Sequence, residues 1–103
     1  METPRALQIT ETAEDDLADI WAFIAEDSPD TASRFVHDLQ QRFAPLCHSP
    51  EIGPRRDSLA PGLRAHFFRS YAIYYRITDT ALIIMRVLHG ARDAAALFGE
   101  SEA

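Results

Sequence analysis

Polar and apolar positions first alternate along the chain and then settle into two helical stripes. Residues 6–10 alternate in the way that favours a short opening β-strand. Thr12 precedes Asp15 by three positions, the spacing of a capping box, and predicts that a helix begins there. The apolar positions of this first helix have helical spacing and are expected in the core: Ala13, Leu17, Ile20, Trp21 and Ile24.

A second helix is predicted from Ser28-Pro29, because serine favours the N-cap and proline the first helical position. Its apolar stripe consists of Ala32, Phe35, Val36, Leu39, Phe43 and Leu46. The short break at residues 26–27 indicates an antiparallel helical hairpin. Pro45 should kink or end the regular helix, with a last loose turn to His48.

The second half of the chain is predicted to form strands. Residues 49–62, rich in proline and glycine, form a long connection. Residues 63–69, 71–77 and 82–88 are rich in β-branched and aromatic residues, and residues 78–80 suit a hairpin loop. The predicted fold is α+β: an N-terminal strand, an antiparallel helical hairpin, a three-stranded antiparallel meander and a short C-terminal helix from Asp93.

The composition, 47% apolar and 25% charged, is that of an ordinary globular protein, and 103 residues suit one domain. No apolar run is long enough to span a bilayer and Cys47 is the lone cysteine, so we expect a cytoplasmic chain without disulfides. No metal-ligand spacing or phosphate-binding glycine loop occurs, so no metal or cofactor is expected. The net charge of −6 does not favour binding to nucleic acid, and the eight arginines after Asp38 face only six acidic residues.

Several of these arginines interrupt apolar strands, where an unpaired charge would be costly. Alternation predicts a core of Tyr71, Ile73, Tyr75, Ile77, Ile83, Met85 and Val87. A three-residue hairpin loop would place Tyr74 opposite Arg86 and Arg76 opposite Ile84. These two arginines and Tyr74 would then lie on an open sheet face away from the helices, joined by Arg64 with His66, or by Arg69.

Three interpretations of this arginine-bearing face stay open. Arginines could hold a scissile phosphate while His89 acts as general acid or base in RNA cleavage. They could anchor a protein partner. They could also pair with Asp57, Asp79, Asp93 or carboxylates of the helical hairpin and simply maintain the sheet.

Six motifs in order resemble the ParE-type toxins of the RelE/ParE superfamily, the toxic half of type II toxin–antitoxin pairs. They are DLADIWAFIA at 16–25, ASRFV at 32–36, SPEIG at 49–53, PGLR at 61–64, YAIYYR at 71–76 and MRVLHGARD at 85–93. The resemblance implies the fold already predicted, a toxin that poisons DNA gyrase without being an enzyme, and a ParD-like antitoxin that neutralises it within a hetero-oligomer.

RelE-like relatives, which share the fold and cut mRNA on the ribosome, provide the alternative. The chain has no lysine, and its last tyrosine is Tyr75, whereas such nucleases typically use lysines and a tyrosine near the C-terminus. Neither sequence-specific nucleic-acid binding nor a membrane partner is expected. The predicted target- or antitoxin-binding residues are Arg64, Tyr74, Arg76, Arg86, His89 and Arg92.

Overall fold

The computed structural model describes residues 4–90, which form a four-stranded sheet and helices packed on one of its faces. The elements are β1 (Ala6–Ile9), α1 (Glu11–Ala25), α2 (Pro29–Gln40), α3 (Phe43–His48), a 3-10 turn (Pro50–Ile52), β2 (Arg64–Phe68), β3 (Tyr71–Ile77) and β4 (Ala81–His89). The strand order is β1-β4-β3-β2, with β1 parallel to β4 and the other pairs antiparallel. The α+β prediction is confirmed; Arg92 and the predicted C-terminal helix from Asp93 lie outside the described residues.

Helix α1 is capped two residues earlier than predicted, because Thr10 rather than Thr12 is its N-cap. The Thr10 Oγ1 accepts a hydrogen bond from the Ala13 N–H at 3.0 Å. The backbone of Thr10 is extended, and its N–H still donates to the Ile84 carbonyl of β4. Pairing with β4 thus holds Thr10 in the conformation that an N-cap requires.

The predicted start of α2 is confirmed, since Ser28 Oγ accepts from the Thr31 N–H at 3.2 Å and Pro29 is the first helical residue. The predicted break near Pro45 is also confirmed. Regular helix ends at Gln40 and resumes as the short α3, which carries the chain to His48. The break lies at residues 41–42 and Pro45 is the third residue of α3, because in one continuous helix the Pro45 ring would clash with the Gln41 carbonyl four residues earlier.

The main core lies between the helices and one face of the sheet. It contains Leu17, Ile20, Leu39, Phe43, Leu46, Ile73, Tyr75, Leu82, Ile84 and Val87. The prediction that Ile83 and Met85 belong to this core was wrong. Tyr74 pairs with Arg86 as predicted, but Tyr75 pairs with Ile84, so Met85 is an extra residue in β4 and Arg76 pairs with Ile83. This β-bulge shifts the alternation of the strand by one residue.

The other sheet face is covered, which corrects the prediction of an open face. The connection after the 3-10 turn folds over it and forms a second buried cluster. Its members are Ala60, Leu63, Ala65, Ala72, Tyr74 and Leu88. Backbone bonds from the Arg56 N–H to the Leu63 carbonyl and from the Ala65 N–H to the Pro54 carbonyl fix the connection along β2.

Tyr75 attaches the same connection from the helix-covered side. Its hydroxyl donates to the Pro50 carbonyl at 2.7 Å and accepts from the Gly53 N–H at 3.0 Å. Gly53 is required for this close approach, because an added Cβ would overlap the Tyr75 hydroxyl and the Ala65 carbonyl oxygen. Tyr75 is fully buried, and burial raises the pKa of its phenol.

Trp21 of α1 departs from the predicted core, and Phe23, which was not predicted to lie there, is exposed as well. Trp21 is 39% exposed, and its indole N–H donates to Ser33 Oγ at 3.1 Å, linking the two arms of the hairpin. The polar group of an indole needs a partner, which an apolar core would not have supplied. Phe23 is 70% exposed. No helix among residues 4–90 is long and apolar enough to cross a membrane.

Candidate functional site

Arg86 is held by a buried carboxylate of α1. Its Nε and one terminal nitrogen each donate to Asp16 at 2.8 Å, and Asp16 Oδ2 also accepts from the Val87 N–H at 2.9 Å. Asp16 is 8% exposed, and its hydrogen bonds with Arg86 raise the pKa of the guanidinium. Arg86 therefore does not join Arg76 on a free face as predicted. It turns at the edge of β4 to pair with α1, as the third interpretation allowed.

Arg64 also serves the fold. It lies on β2 opposite Tyr75, on the side covered by the helices. One terminal nitrogen donates to the Gly53 carbonyl at 2.8 Å, with a longer contact of 3.4 Å to the Glu51 carbonyl. Arg64 and Tyr75 thus hold the connection at Gly53 together. His66 lies on the same side of β2, and it is half-buried.

Tyr74 and Arg76 share the face covered by the connection. Tyr74 is fully buried; burial raises the pKa of its phenol, and the nearby charge of Arg56 opposes that rise. Arg76 is half-buried, and its Nε has no hydrogen-bond partner among residues 4–90. The expectation of a solvent-facing Tyr74 was wrong, because loop residues that lie far from it in sequence cover the ring.

His89 is the one predicted site residue in the described part of the chain that is exposed. Its ring meets the Tyr71 ring edge-on with centroids 5.1 Å apart. A groove of about 220 Å³ beside it is lined by Asp19, Phe23 and Tyr71 among others. The groove combines an exposed phenyl ring, an imidazole and a carboxylate, a composition suited to contact with a protein.

The arrangement does not gather a nuclease site. Arg64 is on β2 and Arg86 on β4, with β3 between them, so their backbones are about 10 Å apart. One guanidinium is bonded to loop carbonyls and the other to Asp16. His89 contacts Tyr71 instead of either arginine. Among residues 4–90, no group of histidine, cysteine and carboxylate side chains could hold a metal ion.

A basic furrow along α2 was not predicted from sequence. It is defined by Arg34, Phe35, Asp38, Arg42, Phe68 and Arg69. Arg69 lies in the two-residue turn between β2 and β3, while Arg42 follows α2. The residues of the furrow are up to 35 positions apart in the sequence. The β2–β3 turn places Phe68 and Arg69 beside the α2 residues. A turn that lacks glycine gave no signal of its unusual backbone.

Comparison with known proteins gives a consistent result. Residues 7–94 match the family model described as the ParE toxin of the type II toxin–antitoxin system parDE. The chain is 30% identical to Toxin ParE3 of Caulobacter vibrioides over 69 residues, which cover 67% of this chain and 69% of that protein.

Two solved structures are similar in fold. A chain of the chromosomal ParDE system from P. aeruginosa has a TM-score of 0.74 at 23% identity, covering 84% of this chain and 97% of that one. A chain of the RelBE2 toxin–antitoxin complex from Mycobacterium tuberculosis has a TM-score of 0.57 at 27% identity, covering 86% and 94%.

Proposed function

The chain belongs to the ParE toxin family and is the toxin component of a type II toxin–antitoxin system, and we propose that it inhibits DNA gyrase by binding it and is neutralised by a ParD-like antitoxin. In this proposal the toxin blocks replication as a protein ligand of gyrase and performs no chemistry of its own. The family match over residues 7–94 is the observation that carries the proposal.

The geometry of the arginines supports a non-enzymatic toxin over a RelE-type endoribonuclease. A nuclease needs cationic groups that converge on a phosphate with a general acid or base nearby. Here Arg86 is neutralised by Asp16, and Arg64 is bonded to loop carbonyls. Neither guanidinium is available to stabilise a developing charge beside His89.

The antitoxin partner is supported by the relatives, one of which is part of a ParDE system and another of a toxin–antitoxin complex. For the gyrase contact, the groove beside His89 is the best-supported surface. Phe23 is 70% exposed there and lines the groove together with the Tyr71 and His89 rings, and contiguous exposed apolar surface of this kind marks interaction sites. We assign Phe23 and His89 to target binding.

Purified toxin added to a gyrase supercoiling reaction should inhibit supercoiling and accumulate cleaved plasmid, and stoichiometric antitoxin should reverse both effects. The His89→Ala variant should lose inhibition without a change in Tm. His48→Ala is the matched control, because His48 is an exposed histidine on α3, outside the groove.

Two outcomes would contradict the proposal. Unimpaired supercoiling combined with cleavage of ribosome-bound mRNA would establish the endoribonuclease alternative. Equal inhibition by wild type and by the His89→Ala variant would show that the groove does not bind gyrase, even if the toxin does.

A further inference from the structure

Arg69 occupies a backbone position that favours glycine. Phe68 pairs with Tyr71, so Arg69 and Ser70 alone make the turn between β2 and β3. Arg69 has φ +54° and is the one non-glycine residue with positive φ among residues 4–90. A side chain in the left-handed region carries a steric cost that glycine avoids. Strain of this kind at a surface turn points to a use for the side chain.

The Arg69 side chain lies against aromatic rings and has no charged partner among residues 4–90. Its guanidinium lies over the Phe35 ring at 5.5 Å and over the Phe68 ring at 5.1 Å. The Arg42 guanidinium lies over the Phe68 ring as well, also at 5.1 Å. Neither guanidinium has a hydrogen bond or ion pair within the described residues. These cation–π contacts use no N–H donor, so the guanidinium donors of both arginines are available to another partner.

The furrow is formed by two adjoining hollows that meet at Arg69. It consists of two hollows, of about 310 and 240 Å³, which share Asp38 and Arg69. The first also contains Arg42 and Phe68, and the second Arg34 and Phe35. Arginine on aromatic side chains is the composition of protein-binding centres, and in-plane guanidinium donors match carboxylates in bidentate geometry.

We propose that the basic furrow binds an acidic peptide segment, and that this segment belongs to the antitoxin. The assignment of this segment to the antitoxin rests on the function proposed above. The inference that the segment is acidic rests on the furrow residues alone. Asp38 lies between the arginines, so the occupant must alternate carboxylates with a neutral or donor group. A peptide can do so, whereas the uniform charge of a nucleic-acid backbone would repel Asp38. The net charge of −6 further weakens the attraction of a polyanion.

The decisive variant is Arg69→Gly, measured by titrating the purified toxin with the cognate antitoxin. Glycine removes the guanidinium and relieves the backbone, so the Tm should stay within about 4 °C of wild type. The Kd should weaken about tenfold at low salt, the loss expected for charge-assisted hydrogen bonds worth about 1.4 kcal/mol. The difference should shrink at high salt, because exposed charges are screened.

Two further variants make the result specific. Arg69→Lys keeps the charge but not the planar fork, so its affinity should fall between those of wild type and the glycine variant. Arg55→Gln removes an exposed arginine outside the furrow and should leave the Kd unchanged. A short single-stranded oligonucleotide should not compete with the antitoxin.

Wild-type affinity in the Arg69→Gly variant, or effective competition by the oligonucleotide, would overturn the inference. A wild-type toxin that does not bind the antitoxin at all would overturn its assignment to the antitoxin. That result would also refute the proposed partner, while gyrase inhibition, measured separately, would stand or fall independently.

Discussion

Arg86 and Arg69 are both arginines beside apolar sequence, yet the structure treats them in opposite ways. Arg86 is half-buried and forms a bidentate pair with Asp16, which in turn caps the Val87 N–H at the edge of β4. Arg69 is exposed, its guanidinium lies over two phenylalanine rings, and it has no ionic partner in the described part of the chain. The fold itself provides the partner of Arg86, whereas Arg69, at a strained surface turn, has no charged partner among residues 4–90 and indicates an external one.

The largest effect expected from this comparison is that of Arg86→Ala on stability. The substitution leaves the buried Asp16 carboxylate without its cation, and breaking a buried pair in this way costs about 3 kcal/mol. The free energy of unfolding, measured by urea titration, should fall by about that amount. Arg55→Ala is the matched control: the Arg55–Asp57 pair is 64% and 45% exposed, so its loss should cost less than about 1 kcal/mol.

The double variant Asp16→Asn/Arg86→Ala sharpens the test. It removes the stranded charge while keeping an oxygen that can accept from Val87, so it should be more stable than Arg86→Ala alone. If Arg86→Ala instead unfolded like wild type and abolished toxicity, Arg86 would be a target-reading residue and the contrast with Arg69 would fail.

The helices and strands could be predicted from local sequence signals. Features that depend on pairing between distant residues, such as the strand register, could not. Ser28-Pro29 and Pro45 act on their own backbone, so their effects could be predicted from sequence. The bulge at Met85 could not, because strand alternation assumes that no residue is extra, and methionine suits either face.

The candidate site was harder to predict than the fold. Asp16 and Arg86 are 70 positions apart, and nothing in either local sequence identifies the other. The resemblance to ParE toxins indicated a partner-binding protein, but it did not indicate which arginines the fold itself uses. Arg69 was missed because its positive φ is set by the two-residue turn, where no glycine marks the strain.

An intermediate effect on stability is expected at Tyr75. Its buried hydroxyl is hydrogen-bonded within the fold but carries no charge, so it tests the contribution of such bonds without an ion pair. Tyr75→Phe keeps the ring but leaves the Gly53 N–H and the Pro50 carbonyl without their partner. Unpaired buried groups of this kind cost about 2 kcal/mol in unfolding free energy. Tyr71→Phe is the control and should cost less than about 0.5 kcal/mol. Equal costs for the two variants would show that the connection is not held by the Tyr75 hydroxyl.

The smallest expected effect is a change in the pKa of His66. This pKa responds to the positive charge of Arg42 and so reports whether an acidic group has entered the furrow. Burial lowers the pKa of His66, and the charge of Arg42 lowers it further. The folded state therefore binds a proton less readily than the unfolded state, whose histidine titrates near pH 6.5 at about its ordinary value. Stability from this group is fully present above that pH and is lost as the pH falls through the folded pKa.

NMR titration of the imidazole resolves this shift residue by residue. Arg42→Gln should raise the pKa of His66 toward its ordinary value, since one of the two causes is removed. Antitoxin binding should raise it too, because carboxylates entering the furrow would neutralise Arg42. An unchanged His66 pKa in the complex would mean that no acidic segment approaches Arg42. Arg69 would then differ from Arg86 in its surroundings but not in binding an external partner.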